Sequence, residues 1–187
     1  MRRRSKWLLW IGVSLIAVSL CAAAVFGLLQ RRGVQLAADI TQRIESVLPP
    51  RTIGAEDTYS VMHMPTISID GADFAGLVEI PAYGVKLPLH NDWKTTKLTC
   101  YPCRFEGTVY DGSLIIGGSA KQLACLKQMD IDDKVTVTDM QGAVFTYTVT
   151  RIRRADHADG QVLHSDAALT LFAPDGYNSG YIIVECE

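Results

Sequence analysis

From Leu77 to Glu187 the chain is cut into short apolar runs rich in Val, Ile, Tyr and Thr, separated by turn signals such as Tyr110-Asp111-Gly112, Met140-Gln141-Gly142 and Asp175-Gly176. Such runs are too short for ordinary helices, and β-branched and aromatic side chains fit a pleated, half-buried surface. The pattern therefore predicts an all-β barrel or sandwich. Within it only Ala120 to Met129 reads as a helix, with Leu123 and Leu126 on one side. The last two runs, around Leu169 to Ala173 and Tyr181 to Cys186, read as buried strands joined by a tight loop. There is no internal repeat and no low-complexity segment.

The N-terminal part obeys a different rule. Leu8 to Leu29 is 22 residues without a charge, and at about 1.5 Å per residue it reaches about 33 Å, enough to cross a hydrocarbon core of about 30 Å. A transmembrane helix is expected there. Arg2, Arg3, Arg4 and Lys6 precede it and only Arg31 and Arg32 follow, so the N-terminus is expected in the cytoplasm and the rest outside the cell. Ala22-Ala23-Ala24 offers small residues for signal cleavage, but the apolar run continues past them, which favours an uncleaved anchor. Lipid attachment at Cys21 is disfavoured by the bulky Leu20 before it.

Leu36, Ala37, Ile40, Ile44, Val47 and Leu48 recur at helical spacing with Asp39 and Arg43 as an i, i+4 pair, predicting an amphipathic helix from Val34 to Leu48 that ends at Pro49-Pro50. Residues 50–76 read as a polar linker with one short strand at Thr66 to Ile69. Three parts result: a cytoplasmic tip and anchor (1–32), a juxtamembrane helix and linker (33–76) and a β domain (77–187).

All 20 acidic residues lie beyond Arg32, whereas six of the 18 basic ones precede Gly33, which leaves 12 basic against 20 acidic and a net charge of −8 outside. Phosphate contacts need clustered Lys and Arg, so nucleic acid is excluded as a partner. Four cysteines, Cys100, Cys103, Cys125 and Cys186, lie outside the span, where disulfides are permitted and three pairings are open. Cys100-Tyr101-Pro102-Cys103 has redox spacing, but the residues after it make a poor helix, and no second pair completes a zinc site. His63, His90, His157 and His164 are not spaced from a thiol for catalysis, although His164 has Asp166 near it. Ser119 and Lys121 make a weak Ser and Lys pair. No metal and no cofactor is expected.

Several segments, in order, resemble the sortases, the membrane-anchored cysteine transpeptidases of bacterial envelopes. Leu77-Val78-Glu79-Ile80-Pro81 with Val85-Lys86-Leu87-Pro88-Leu89 resembles the opening of that barrel. Pro102-Cys103-Arg104-Phe105 and Leu114-Ile115-Ile116-Gly117-Gly118-Ser119 resemble the segment that delivers the catalytic His. Leu123 with Leu126, then Asp133 to Val137, then Phe145 to Val149 follow the family pattern, and Leu169 to Gly176 with Tyr181 to Cys186 resembles the catalytic hairpin. The resemblance implies a mainly β chain: one closed β-barrel of about eight strands with one or two short helices, preceded by the transmembrane and juxtamembrane helices. It also implies a Cys103 to Cys186 disulfide, both cysteines bordering one floor of the barrel.

At the positions that matter for chemistry the family pattern is broken. Ser119 stands at the His position, Pro174 at the nucleophilic Cys and Tyr181 at the Arg. Sortase chemistry needs a thiolate, a proton donor for the leaving amine and a cation for the oxyanion. Proline has no nucleophile, serine is no general acid near neutral pH, and tyrosine brings no positive charge. The resemblance thus implies a pseudo-sortase whose groove, lined by Ile115, Leu171, Phe172 and Tyr181, binds a sorting-signal peptide, an envelope protein or an active sortase. Two alternatives stay open: a sortase-like transpeptidase or hydrolase using substitute residues, and a thiol-disulfide protein using Cys100 and Cys103.

Overall fold

Strands such as Leu114–Gly117 and Leu169–Pro174 are buried along nearly their whole length, and others such as Ala143–Ala155 are partly exposed, in the computed structural model, which describes residues 16, 18–21, 35–50, 52–53, 63–94, 96–98, 100–176 and 179–187. Residues 35–47 are helical (α1). After them come strands β1 (Thr52–Ile53), β2 (Ile67–Ile69), β3 (Ala72–Ile80), β4 (Val85–His90), β5 (Cys103–Glu106), β6 (Leu114–Gly117), β7 (Lys134–Asp139), β8 (Ala143–Ala155), β9 (Leu169–Pro174) and β10 (Tyr181–Cys186). Two single-turn 3-10 helices, η1 (Pro81–Tyr83) and η2 (Ala124–Lys127), and a four-residue helix α2 (Gly160–Leu163) interrupt them.

Eight strands close on themselves in the order β8, β10, β9, β6, β5, β4, β3, β7, with β7 pairing back to β8. β1 and β2 are short additions to β8 and β3. Closure removes the unpaired edges that an open sheet would expose. Inward residues from every side form one core: Val78 and Ile80, Leu114 and Ile116, Val135 and Val137, Leu169 and Leu171, Ile182 and Val184. Leu123, Cys125 and Leu126 around η2 join the same cluster.

The sequence places the start of the β domain at Leu77; the strand begins earlier, at Ala72. Asp73 and Gly76 look like turn residues, but Gly76 sits at a bulge where the β3 to β4 register shifts, at φ 154, with Thr138 O only 2.1 Å from where a Cβ would lie. Glycine there serves close approach of β7 rather than chain reversal. The expected strand near Thr66 to Ile69 is β2. Of the helix expected from Ala120 to Met129, only Ala124–Lys127 is helical, as a 3-10 turn with Cys125 and Leu126 pointing into the core.

The chain divides into two units, Met1–Leu36 and Ala37–Glu187. In the first, residues 16 and 18–21 are helical and exposed; the rest of the expected span, Leu8 to Leu29, lies outside the described residues. Among the described residues no helix is long and apolar enough to cross a membrane. In the second unit, Ala37, Ile40 and Ile44 of α1 are buried against Phe74, Leu77 and Tyr101. Asp39 and Arg43 pair at 2.9 Å on the exposed side. The amphipathic helix is therefore packed on the barrel rather than standing free as a stalk.

Candidate functional site

Strands β6, β9 and β10 lie side by side, and their pairings sort each side chain to one of two faces. Ile115, Ile116 and Gly117 pair with Thr170, Leu171 and Phe172, which pair with Glu185, Val184 and Ile183. Since successive side chains alternate, Ile116, Leu171 and Val184 point into the barrel, and Ile115, Phe172 and Ile183 point outward into a second cluster. Of the four residues expected to line a groove, Ile115, Phe172 and Tyr181 share this outer face. Leu171 does not: it is fully buried in the barrel core, because it is one residue out of phase with Phe172.

Pro174 and Tyr181 are direct cross-strand partners at the loop end of the β9 and β10 hairpin. Two residues of alternation put both on the face of Phe172. Ser119 follows Gly117, the partner of Phe172, by two residues, and Gly118 N–H still donates to Phe172 O at 3.0 Å. The chain thus leads Ser119 off β6 toward the Pro174 end of β9. Asp175 N–H donates to Gly180 O at 2.9 Å on the β10 side. By alternation the nitrogen of Pro174 faces the β6 side, past the end of that strand. The missing N–H forfeits no ladder bond there, which is why proline is accepted in an otherwise central strand.

Most polar groups around these positions are engaged in structure, with the buried Gln122 Nε2, beside Ser119, lacking a partner among the described residues. Ser119 N–H donates to Gln122 Oε1 at 3.2 Å, and its Oγ accepts from Gln122 N–H at 3.4 Å, closing the turn that leads to η2. Asp175, 5% exposed, pairs with Lys127 at 3.0 Å and Arg154 at 3.8 Å, and Lys127 also donates to Asp175 O. Lys127 and Arg154, which approach the hairpin loop, are both drawn to this carboxylate.

The outer face carries residues that the sequence reading passed over. Trp93, from the β4 to β5 connection, lies 5.0 Å from Phe105 and 5.5 Å from Phe172, and Phe172 lies 6.3 Å from Tyr181, ring centre to ring centre. Gly117 makes room for this array: a Cβ there would lie 2.5 Å from both Phe172 and Trp93. Leu163 of α2, fully buried, packs on Ile115, Phe172 and Ile183. The signal for Trp93 was a large aromatic isolated among His90, Asn91, Asp92 and Lys94. That for α2 was Asp159, which caps the helix by accepting from Val162 N–H at 3.0 Å.

The remaining candidates separate. Cys103, Cys125 and Cys186 are free thiols, so the Cys103 to Cys186 bridge is not formed. Along the wall β5 and β10 are separated by β6 and β9, three steps of about 4.8 Å, and the two cysteines border opposite ends of β6. A disulfide needs Cα atoms within about 7 Å. Burial pushes the Cys103 and Cys125 thiols up, and pushes Cys186 up to about 12 with Glu185 adding to the effect. Raised thiols are poor nucleophiles at neutral pH. Cys103 opens a strand rather than a helix, so the C-x-x-C spacing lacks the helix N-terminus that would favour a thiolate. His164 pairs with Glu106 at 3.0 Å rather than with Asp166. Among the described residues no group of three His, Cys, Asp or Glu side chains is arranged to hold a metal ion.

No protein-family model and no curated protein matches the chain. Among solved structures it is similar to sortase C1 from Streptococcus agalactiae, at 22% identity over 64% of this chain and 69% of that one, with a TM-score of 0.55. It is similar to a sortase D5 transpeptidase from Clostridium perfringens, at 17% identity over 62% and 78%, TM-score 0.55. A third likeness is to Clostridium perfringens sortase C with the C-terminal cell wall sorting motif, at 17% identity over 72% and 77%, TM-score 0.54. Identities this low carry the fold and nothing finer. With the closed eight-strand barrel, they establish that the chain has a sortase-like fold.

Proposed function

We propose that the chain is a membrane-anchored, outward-facing sortase-like protein without sortase catalysis, which uses the outer face of β6, β9 and β10 to bind an extended sorting-type peptide or a partner that carries one. The observation that carries this reading is the pairing of Pro174 with Tyr181 beside the turn that bears Ser119. A thiol, an imidazole and a guanidinium at these positions would make a sortase; a pyrrolidine, a hydroxyl and a phenol do not. A binding role survives their loss, because it needs only a shaped apolar face and hydrogen-bonding groups. The aromatic array of Trp93, Phe105, Phe172 and Tyr181 supports such a face. Anchoring is supported by the uncharged run from Leu8 to Leu29 and the basic residues before it.

An enzyme with substitute residues is disfavoured because Cys103, Cys125 and Cys186 are buried with raised thiol pKa values, and the half-buried Cys100 packs on the separate cluster of α1 and β3. The test is an NMR titration of the full-length protein in detergent micelles with a sorting-type peptide. Shifts centred on Ile115, Phe172 and Tyr181 are expected, with the peptide recovered intact. Saturable binding that leaves those three residues unmoved would refute the assignment of the face.

A further inference from the structure

A cavity of about 260 Å³ lies where the C-terminal end of α1 meets β3 and β7, lined by Glu45, Leu48, Pro49, Pro50, Leu77 and Thr138. None of these residues belongs to the face of β6, β9 and β10. The floor of the cavity is set by strand register. Leu77 and Thr138 are cross-strand partners, and Leu77 packs with α1, whereas the next pair, Val78 and Val137, points into the barrel core. Alternation therefore turns the Thr138 side chain outward, beneath α1. Thr138 is fully buried, and its hydroxyl has no hydrogen-bond partner among the described residues. An orphaned buried hydroxyl costs free energy that a valine of nearly the same shape would not.

The rest of the lining is rich in acceptors. In a continuing helix the carbonyls of Glu45 and Ser46 would accept from residues 49 and 50, but both are prolines and offer no N–H. The C-terminal end of a helix also carries partial negative charge. Glu45 adds a carboxylate. It pairs with Lys86, and that ammonium also reaches Glu79 at 3.4 Å, so two carboxylates share one cation. The prolines are held in place. A Cβ on Gly142 would lie 2.9 Å from Pro49 O and 3.2 Å from Pro50 O, and the following strand β1 pairs with Ala143 and Val144. Acceptors and one orphaned hydroxyl thus surround a preformed space, with Leu48, Leu77 and the proline rings as apolar wall.

We propose that this cavity binds a small aliphatic ammonium, a protonated primary amine on a short alkyl chain. The cation lies against Glu45 and the end of α1, donates a hydrogen bond to Thr138 Oγ1, and rests its alkyl chain on Leu48 and Leu77. An anion would face carboxylate and carbonyl oxygens instead. The volume falls below the range of about 300–1,000 Å³ that holds drug-sized ligands, which limits the occupant to a smaller fragment. The site is independent of the peptide face given under Proposed function.

The test is an NMR titration of the full-length protein in micelles with n-butylammonium chloride, and with n-butanol as its neutral counterpart, reading Leu48, Leu77 and Thr138. Saturable shifts centred on these residues are expected at millimolar n-butylammonium, the range that so small a ligand can reach. n-Butanol should bind at least about fivefold more weakly, because it brings no charge. Glu45→Gln should weaken n-butylammonium severalfold, and the ion pair it removes is exposed enough to cost little stability. Thr138→Val should also weaken binding severalfold while keeping or raising the urea midpoint of the free protein, because it removes an unpaired buried hydroxyl. No saturable shift at these residues would overturn the site. n-Butanol binding as tightly as n-butylammonium, or unchanged binding to Glu45→Gln, would overturn the assignment to an ammonium. A lowered urea midpoint in Thr138→Val would show that the hydroxyl already has a partner within the fold, and would overturn its place in the site.

Discussion

A methyl group at Gly117 would fall 2.5 Å from two aromatic rings, Phe172 and Trp93, and Phe105 and Tyr181 beside them restrict how those rings can shift. Gly117→Ala is therefore expected to lower stability by about 1–3 kcal/mol through overpacking, read as a lower urea midpoint at unchanged slope. A variant as stable as the wild type would mean the rings do not meet there. Cys186 gives a second prediction at this scale. Its folded thiol lies up near about 12 while an unfolded cysteine titrates near about 8.5, so the folded state holds the proton more tightly. The stability this contributes is complete below about 8.5 and is lost as pH rises from there toward about 12. Cys103 and Cys125 shift the same way. Cys186→Ala should thus give a shallower, not a flat, decline of unfolding free energy between about pH 8.5 and 10; an unchanged slope would contradict the burial of that thiol. That Ser119, Pro174 and Tyr181 come to one end of three adjacent strands was legible because each occupies a fixed place in a local motif. Trp93 and Leu163 were not, because what they touch is set by which strands lie side by side.

Helix α1 was legible as an element, from its apolar spacing and the Pro49-Pro50 stop, but its seat was not. Ile40 and Ile44 are fully buried against Phe74 and Leu77, while Val47 is 59% exposed. Ile40→Ala is expected to destabilise by about 2–4 kcal/mol, whereas Val47→Ala should stay within about 0.5 kcal/mol. Equal small effects on the thermal midpoint would mean that the helix is a stalk after all. The start of β3 was misplaced for a related reason. A glycine in a polar stretch reads as a turn, and only the closeness of Thr138 O to Gly76 reveals a bulge. The segment from Ala120 to Met129 erred the other way: its apolar spacing is helical, but both Cys125 and Leu126 must reach the core from a short arc, and a 3-10 turn does that.

At the scale of the whole molecule the barrel fits the short apolar runs, since eight strands closed on themselves bury an inner face and leave no edge between them. The resemblance read from six ordered segments supplied the strand number, and the structural likenesses support the same fold. Cysteine pairing could not be read in this way, because it depends on which strands intervene between β5 and β10. We propose that this sortase-like barrel binds a peptide without sortase catalysis. The most direct test is mass spectrometry of the full-length protein incubated with a sorting-type peptide and an amine acceptor. Intact peptide, no transfer product and no acyl adduct on any cysteine are expected. A transfer product that disappears when thiols are alkylated would contradict the proposal.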